Sequence, residues 1–285
     1  MQQRQIGDRT VSAIGLGGMP MSIEGRPDAA RSIATIHAAL DAGVTFIDTA
    51  DAYHVTATDV GHNELLIAKA LREAGATADD VLVATKGGHR RPGDGSWYME
   101  GGAAYLKTAC EASLQRLDVE AIGLYQLHRP DPTVPYAESV GAIRDLLDEG
   151  KILMAGISNA NPDQIRQAQE ILGGRLVSVQ NQFSPAFRSS EPELELCAEL
   201  GIAFLPWSPL GGSGRAGVLG AEHTAFAEVA AERGVSAQQV CLAWELAKAP
   251  VVVPIPGASR PETIRDSALA AELVLTAEEL ARLEA

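Results

Sequence analysis

Four residues that could do proton chemistry together, Asp48, Tyr53, Lys86 and His128, stand where apolar, β-branched runs of the chain give out. A lone phenol, with a pKa near ~10, gives up its proton poorly at neutral pH. An ammonium beside it stabilises the phenolate and lowers that value. With Lys86 against Tyr53, and Asp48 paired to hold the lysine, the phenol becomes a usable general acid. His128 can add a second hydrogen bond that orients a carbonyl oxygen or completes a proton relay. Such a group polarises a C=O bond and protonates the alkoxide that develops. It offers no nucleophile and no metal, so the reducing equivalent has to come from a cofactor. Taken singly, each residue is ordinary: an aspartate caps a turn, a rim tyrosine or lysine is solvated, a histidine satisfies its neighbours. Their recurrence at consecutive strand ends carries the expectation.

Strand-like and helix-like segments alternate along the chain. A short hairpin, 4–6 and 10–13, turns at Gly7-Asp8. Strand-like runs follow at 13–17, 45–48, 81–85, 122–127, 153–157, 177–181, 203–206 and 251–255. Amphipathic segments lie between them at 28–42, 63–74, 103–117, 136–149, 162–172 and 191–200. Two more, 223–233 and 236–247, precede the last strand, and 261–271 and 277–283 follow it. Asn161-Pro162-Asp163 and Ser259-Arg260-Pro261-Glu262 read as helix starts, and Gly43, Gly150 and Gly201 sit just past helix ends. Eight strands, each leading to helix, predict an α/β fold of the (β/α)8 TIM barrel type behind a short N-terminal β-hairpin, as one domain over 1–285. The rival, an open doubly wound sheet, needs a glycine-rich phosphate loop running into a helix. Gly15-Leu16-Gly17-Gly18-Met19 resembles one, but Pro20 and a long irregular stretch delay the helix.

Chemistry in such barrels sits at the C-terminal ends of the strands. There the chain offers Asp48 to Tyr53, Thr85-Lys86, His128, Ser158-Asn159, Gln180-Asn181, Trp207-Ser208 and Pro256-Gly257-Ala258-Ser259-Arg260. The net charge of −14 argues against nucleic acid or an anionic membrane as partner. The three cysteines, Cys110, Cys197 and Cys241, are scattered, which suits reduced thiols in the cytoplasm better than disulfides or zinc. The N-terminus has no apolar stretch behind a basic start, as a signal peptide would, and no window approaches 18 uninterrupted apolar residues, as a membrane span would. A small carbonyl compound is the expected partner.

Several ordered stretches resemble the aldo-keto reductase superfamily along essentially the whole chain. They are Phe46-Ile47-Asp48-Thr49-Ala50-Asp51-Ala52-Tyr53, Ala84-Thr85-Lys86-Gly87-Gly88, Leu127-His128-Arg129-Pro130-Asp131 and Gly156-Ile157-Ser158-Asn159. Val179-Gln180-Asn181-Gln182-Phe183, Trp207-Ser208-Pro209-Leu210-Gly211 and Ile255-Pro256-Gly257-Ala258-Ser259 complete the set. The resemblance implies a catalytic tetrad of Asp48, Tyr53, Lys86 and His128, with hydride passing from NADPH or NADH to an aldehyde or ketone. It implies that Ser158, Asn159 and Gln180 hold the nicotinamide carboxamide and that the Trp207 ring stacks on the nicotinamide. Pyrophosphate would lie along Ser208, Leu210 and Gly211, and the adenosine phosphate against Pro256, Gly257, Ser259 and Arg260 at a helix start. Arg260, with Arg265 near it, leans the cofactor towards NADPH. Gly257 and Ala258, standing where relatives often place cations, keep NADH open. Met19, His54 and Trp97 are the expected substrate-pocket residues, with Met21 and Tyr98 near them.

Three rivals remain at this level. A metal-dependent hydrolase would gather Asp48, Asp51, His54, His62 and His128 around a cation, but no His-x-His pair occurs among the six histidines, and no metal is expected. A Schiff-base aldolase would use Lys86 as nucleophile. A non-catalytic, cofactor-sensing regulatory subunit would share the fold without the turnover.

Overall fold

A computed structural model of the chain describes residues 1–212 and 214–284; Ser213 and Ala285, the latter the end of the expected domain, lie outside the described residues. The chain opens with the antiparallel pair β1 (Gln3–Ile6) and β2 (Arg9–Ser12). Gly7 turns it at φ +59°, a left-handed conformation that glycine adopts without steric cost. After it come β3 (Leu16–Gly17), β4 (Phe46–Asp48), β5 (Leu82–Gly87), the two-residue strands β6 (His89–Arg90) and β7 (Tyr98–Met99), then β8 (Ile122–Leu127), β9 (Ile152–Ser158), β10 (Leu176–Gln180) and β11 (Ala203–Phe204). β6 and β7 form a separate antiparallel hairpin. The others pair in parallel in the order β3-β4-β5-β8-β9-β10-β11.

The sheet closes through the segment expected as an eighth strand, which makes only isolated bridges, Phe204 to Val252 and Gly17 to Gly257. Val253 and Ile255 donate their amides to the carbonyls of Phe204 and Pro206 at 2.9 and 3.1 Å. On the other side Gly15 and Gly17 donate to the carbonyls of Pro254 and Pro256 at 2.9 and 3.0 Å. Those two prolines have no N–H to return, so half of this ladder cannot form and the eighth stave stays irregular. A count of apolar residues marks this segment as a regular strand, and it is the two prolines within it that make the difference.

Helices run between the strands: α1 (Ala29–Asp41), α2 (His62–Ala74), α3 (Ala103–Leu117), α4 (Tyr136–Asp148), α5 (Pro162–Ile171), α6 (Glu191–Leu200), α7 (Leu219–Glu222), α8 (Thr224–Arg233), α9 (Ala237–Lys248), α10 (Pro261–Leu269) and α11 (Ala277–Glu284). The side chain of Asp28 caps α1, Asn161 and Gln164 form a reciprocal capping box at α5, and Gly43, Gly150 and Gly201 take positive φ past α1, α4 and α6.

Strand alternation shapes the barrel interior. Phe46, Leu82, Ala84, Leu124, Met154, Leu205, Val253 and Ile255 pack with Ile6 and Val11, so the hairpin plugs the lower end. The same two-residue period carried upward turns Asp48, Lys86, Gln126 and Gln180 inward. All four are buried, and they fill the upper layer of the barrel with polar groups.

Candidate active site

Register brings the charges together. Asp48 lies beside Ala84 across β4 and β5, and Lys86 beside Gln126 across β5 and β8. The Lys86 ammonium, 0% exposed, spends its three protons on Asp48 Oδ2 at 2.6 Å, the Thr49 carbonyl at 2.8 Å and the Tyr53 hydroxyl at 3.1 Å. The other oxygen of Asp48 accepts from Gln180 Nε2 at 2.8 Å. Tyr53 returns to the site because the chain after β4 is held at several points. Thr49 N–H donates to the Ala84 carbonyl, Asp51 N–H to the Lys86 carbonyl, and the Thr49 hydroxyl to Asn63 Oδ1 at 2.6 Å. His128 follows β8 with its amide on the Gly87 carbonyl at 2.9 Å and its ring edge-on to Tyr53, centroids 5.8 Å apart. Its Nδ1 is buried and has no partner among the described residues. The four expected catalytic residues are thus one cluster.

Electrostatics follow from burial. Burial pulls the Lys86 pKa down, but Asp48 and Tyr53 outweigh it and the net shift is upward. A lysine held this firmly as an ammonium, with every proton committed, is unsuited to Schiff-base attack. Tyr53 differs from the sequence expectation. Lys86 does pull its pKa down, yet burial acts more strongly in the opposite direction and the net shift is upward. The sequence shows the neighbour and hides the desolvation. His128 is held well below its usual value by burial and then by the charges of Lys86, His89 and Arg129, so its ring is neutral at physiological pH.

Around this cluster lie the residues expected to hold a cofactor. Asn159, at φ +57°, donates from its amide to the His128 carbonyl at 3.0 Å and accepts from Trp207 Nε1 at 3.2 Å, which pins the edge of the indole and leaves it partly exposed. The Ser158 hydroxyl donates to the Gln180 carbonyl. Gln180 itself is committed to Asp48. After Trp207 the backbone turns at Ser208, φ +53°, and Gly211, φ +88°, with Gly211 N–H returning to the Ser208 carbonyl. The amides of Ser208, Leu210 and Gly212 take no acceptor among the described residues. The buried Leu210 side chain anchors that turn in the core. Gly257 lies across the seam from Gly17, where a Cβ would press on Pro20. Pro256 is buried and Ser259 half-buried. α10 opens at Arg260 with no side-chain cap, and the Arg260 and Arg265 side chains are exposed.

The three expected pocket residues part company. Trp97, 37% exposed, sits in the β6–β7 hairpin against His89, ring centroids 4.7 Å apart. Met19 is half-buried in the turn after β3. His54, expected beside the substrate, is 1% exposed, with Nδ1 2.7 Å from the Thr56 carbonyl, because its loop folds back on it; it anchors that loop.

The sequence reading did not find a second buried layer behind Lys86. Asp51 accepts from the Tyr105 hydroxyl at 2.8 Å. Glu64 accepts from the Thr85 hydroxyl at 2.6 Å and pairs with Arg116. Gln126, His89, Arg91 and Arg129 were also unassigned. Asp51 and Arg129 fall within the family-like stretches 46–53 and 127–131, but nothing local gives any of these residues its partner, since each acquires its neighbours only when strands and helices meet. Among the described residues no three His, Cys, Asp or Glu side chains gather to hold a metal ion, and no helix is long and apolar enough to cross a membrane.

The model of the Aldo/keto reductase family matches residues 13–285. An uncharacterized oxidoreductase of Schizosaccharomyces pombe is 34% identical over 284 residues, covering 98% of this chain and 88% of its own. A probable aldo-keto reductase of Glycine max is 37% identical over 254 residues, covering 80% of this chain and 71% of its own. Among solved structures, the aldo/keto reductase of Klebsiella pneumoniae in complex with NADP and acetate superposes with a TM-score of 0.82 at 30% identity, covering 99% of this chain and 94% of that one. The chain belongs to the aldo/keto reductase family.

Proposed function

We propose that this protein reduces an aldehyde or ketone to the alcohol with a reduced nicotinamide dinucleotide, NADPH in preference to NADH, and that Tyr53 delivers the proton. The observation that carries the reading is the Tyr53 hydroxyl 3.1 Å from an ammonium that is itself locked to Asp48 inside the barrel. The site's own groups suit the cofactor. Trp207 offers a partly exposed ring held at its edge, the turn at 208–212 offers unengaged amides, and α10 offers an uncapped N-terminus beside the exposed guanidinium of Arg260. Ser158, Asn159 and Gln180 would border the nicotinamide, Ser208, Leu210 and Gly211 the pyrophosphate, and Pro256, Gly257, Ser259 and Arg260 the adenosine phosphate. When bound, the dihydronicotinamide supplies hydride.

The rest is the work of the chain. Tyr53, whose pKa is raised by burial, stays a neutral phenol through the physiological range and donates a hydrogen bond to a carbonyl oxygen. As negative charge grows on that oxygen, the phenol gives up its proton, and the phenolate left behind is stabilised by Lys86. Asp48 keeps the ammonium in place, and neutral His128 orients the carbonyl from the other side. The three buried, unbonded cysteines suit a reducing compartment, in keeping with a cytoplasmic enzyme. With all four residues gathered, no observation favours a subunit that binds cofactor without turnover.

Tyr53→Phe tests the assignment, because it removes the proton and little else. We expect turnover of an aldehyde panel, followed by loss of reduced-cofactor absorbance, to fall by about 10²–10⁴. Cofactor affinity, read by fluorescence titration, should stay within about threefold. Retention of most of the turnover would refute the role of Tyr53.

A further inference from the structure

The mouth above Tyr53 carries one cation more than it carries anions. Lys86 is matched by Asp48, and Arg91, whose guanidinium stacks 4.5 Å over the Trp97 ring, is matched by Glu24. Arg129, directly after His128, is half-buried, its guanidinium 5.9 Å from the centroid of the Trp207 ring, and it makes no hydrogen bond or ion pair with any described residue. Around it the polar groups are also unspent. His89 lies edge-on to His128 with centroids 5.0 Å apart, and the Nδ1 atoms of both rings are buried without a partner among the described residues. The neighbours whose charge acts on these two rings are all basic: Lys86, His89 and Arg129 on His128, and Arg129 and Arg91 on His89. This local excess of positive charge stands in a protein of net charge −14. A guanidinium with five N–H donors, half removed from water and given no acceptor, favours an anion that arrives from outside.

We propose that the substrate is a carbonyl compound bearing a carboxylate, and that Arg129 is the specificity residue that reads that carboxylate while Tyr53 meets the carbonyl. One uncompensated charge fits a monoanion. His89, pushed down to about 4 by burial and by Arg129 and Arg91, adds no second charge that a phosphate dianion would need. The inference rests on the carbonyl-reductase reading above and narrows it.

The test compares 4-carboxybenzaldehyde with its methyl ester, two aldehydes of similar shape that differ in charge, under saturating NADPH and again NADH. The wild-type protein should show a kcat/KM at least about tenfold higher for the acid, the scale of one charge-assisted hydrogen bond. Arg129→Gln should reduce kcat/KM for the acid about ten times more than for the ester, chiefly through KM. Arg129→Lys should restore part of the difference by keeping the charge, which also separates loss of recognition from misfolding. Equal use of acid and ester by the wild type would overturn the proposal while leaving the reductase reading intact, as would an equal loss on both in Arg129→Gln. Failure to consume either aldehyde with either cofactor would overturn both.

Discussion

Burial sets the chemistry of individual side chains here as much as neighbours do. Lys86 and Asp48 at 2.6 Å, with almost no exposure, attract each other far more strongly than the about 1 kcal/mol that opposite charges near 4 Å feel in water. Tyr53 beside them is pushed the other way, towards a reluctant acid, and that suits a group that must hold its proton until an alkoxide appears. Asp51 is the extreme case. Burial first, and then the charge of Glu64, push its carboxyl up to about 7 against the opposing hydrogen bond from Tyr105 and the field of Arg116, and its Oδ1 has no partner among the described residues. Well below its unfolded value near 4, the acid is protonated folded and unfolded and contributes no pH dependence. Between about 4 and 7 the folded chain keeps a proton that the unfolded chain has shed, so stability falls as pH rises; above about 7 the full cost is present. That cost is at most about 4 kcal/mol. Asp51→Asn, nearly isosteric, should therefore gain thermal stability relative to wild type as pH goes from 5 to 8, by some degrees in Tm. Paired melts at those two pH values check it, and a difference that does not change between them would rule out the buried acid.

At the scale of elements, the weak seam is where β3 meets the eighth stave. The two prolines there leave half a ladder, so closure depends on close approach of the backbones. A Cβ on Gly17 would lie 2.8 Å from the Ile255 carbonyl oxygen and 3.3 Å from Gly257 Cα, both backbone atoms that cannot swing aside. Gly17→Ala should cost about 1–3 kcal/mol in urea unfolding, the usual scale of overpacking. It should also weaken cofactor binding, since Gly257 is moved with the seam. A variant as stable as wild type would mean that the seam yields freely. The β6–β7 hairpin is tethered in a different way. Asp131, in the loop after β8, accepts from the Gly101 amide at 2.9 Å, and Ser139 donates to the Gly101 carbonyl at 2.6 Å. Those bonds fix the chain just after β7, whose hairpin carries Trp97 against His89 and His89 against His128.

For the molecule as a whole, an overall charge of −14 repels an anionic cofactor, so its capture depends on local exceptions. Arg260 and Arg265 are exposed on and beside the start of α10. Arg260→Ala should raise KM for NADPH by about tenfold or more and leave KM for NADH within about threefold, because only NADPH carries a 2′-phosphate for a guanidinium to grip. Steady-state kinetics with both cofactors, at low and moderate salt, make the comparison. Equal losses would remove Arg260 from recognition of that phosphate.

The periodic frame is legible in the chain alone. Alternation of apolar runs with amphipathic segments, punctuated by Asn161-Pro162 and by glycines after helices, is local information, and it marked seven of the strand positions and the residues at their ends. Because side chains alternate with a period of two, knowing that Ala84 faces inward is enough to turn Lys86 inward as well. Tertiary structure decided the rest. The raised Tyr53 and the unpaired Arg129 depend on what distant segments bring to within a few ångströms and on how much water they exclude, whereas the irregular eighth stave follows from Pro254 and Pro256 and the turn of His54 from its own loop. Desolvation and partner count belong to the packed molecule, and no stretch of chain read alone contains them.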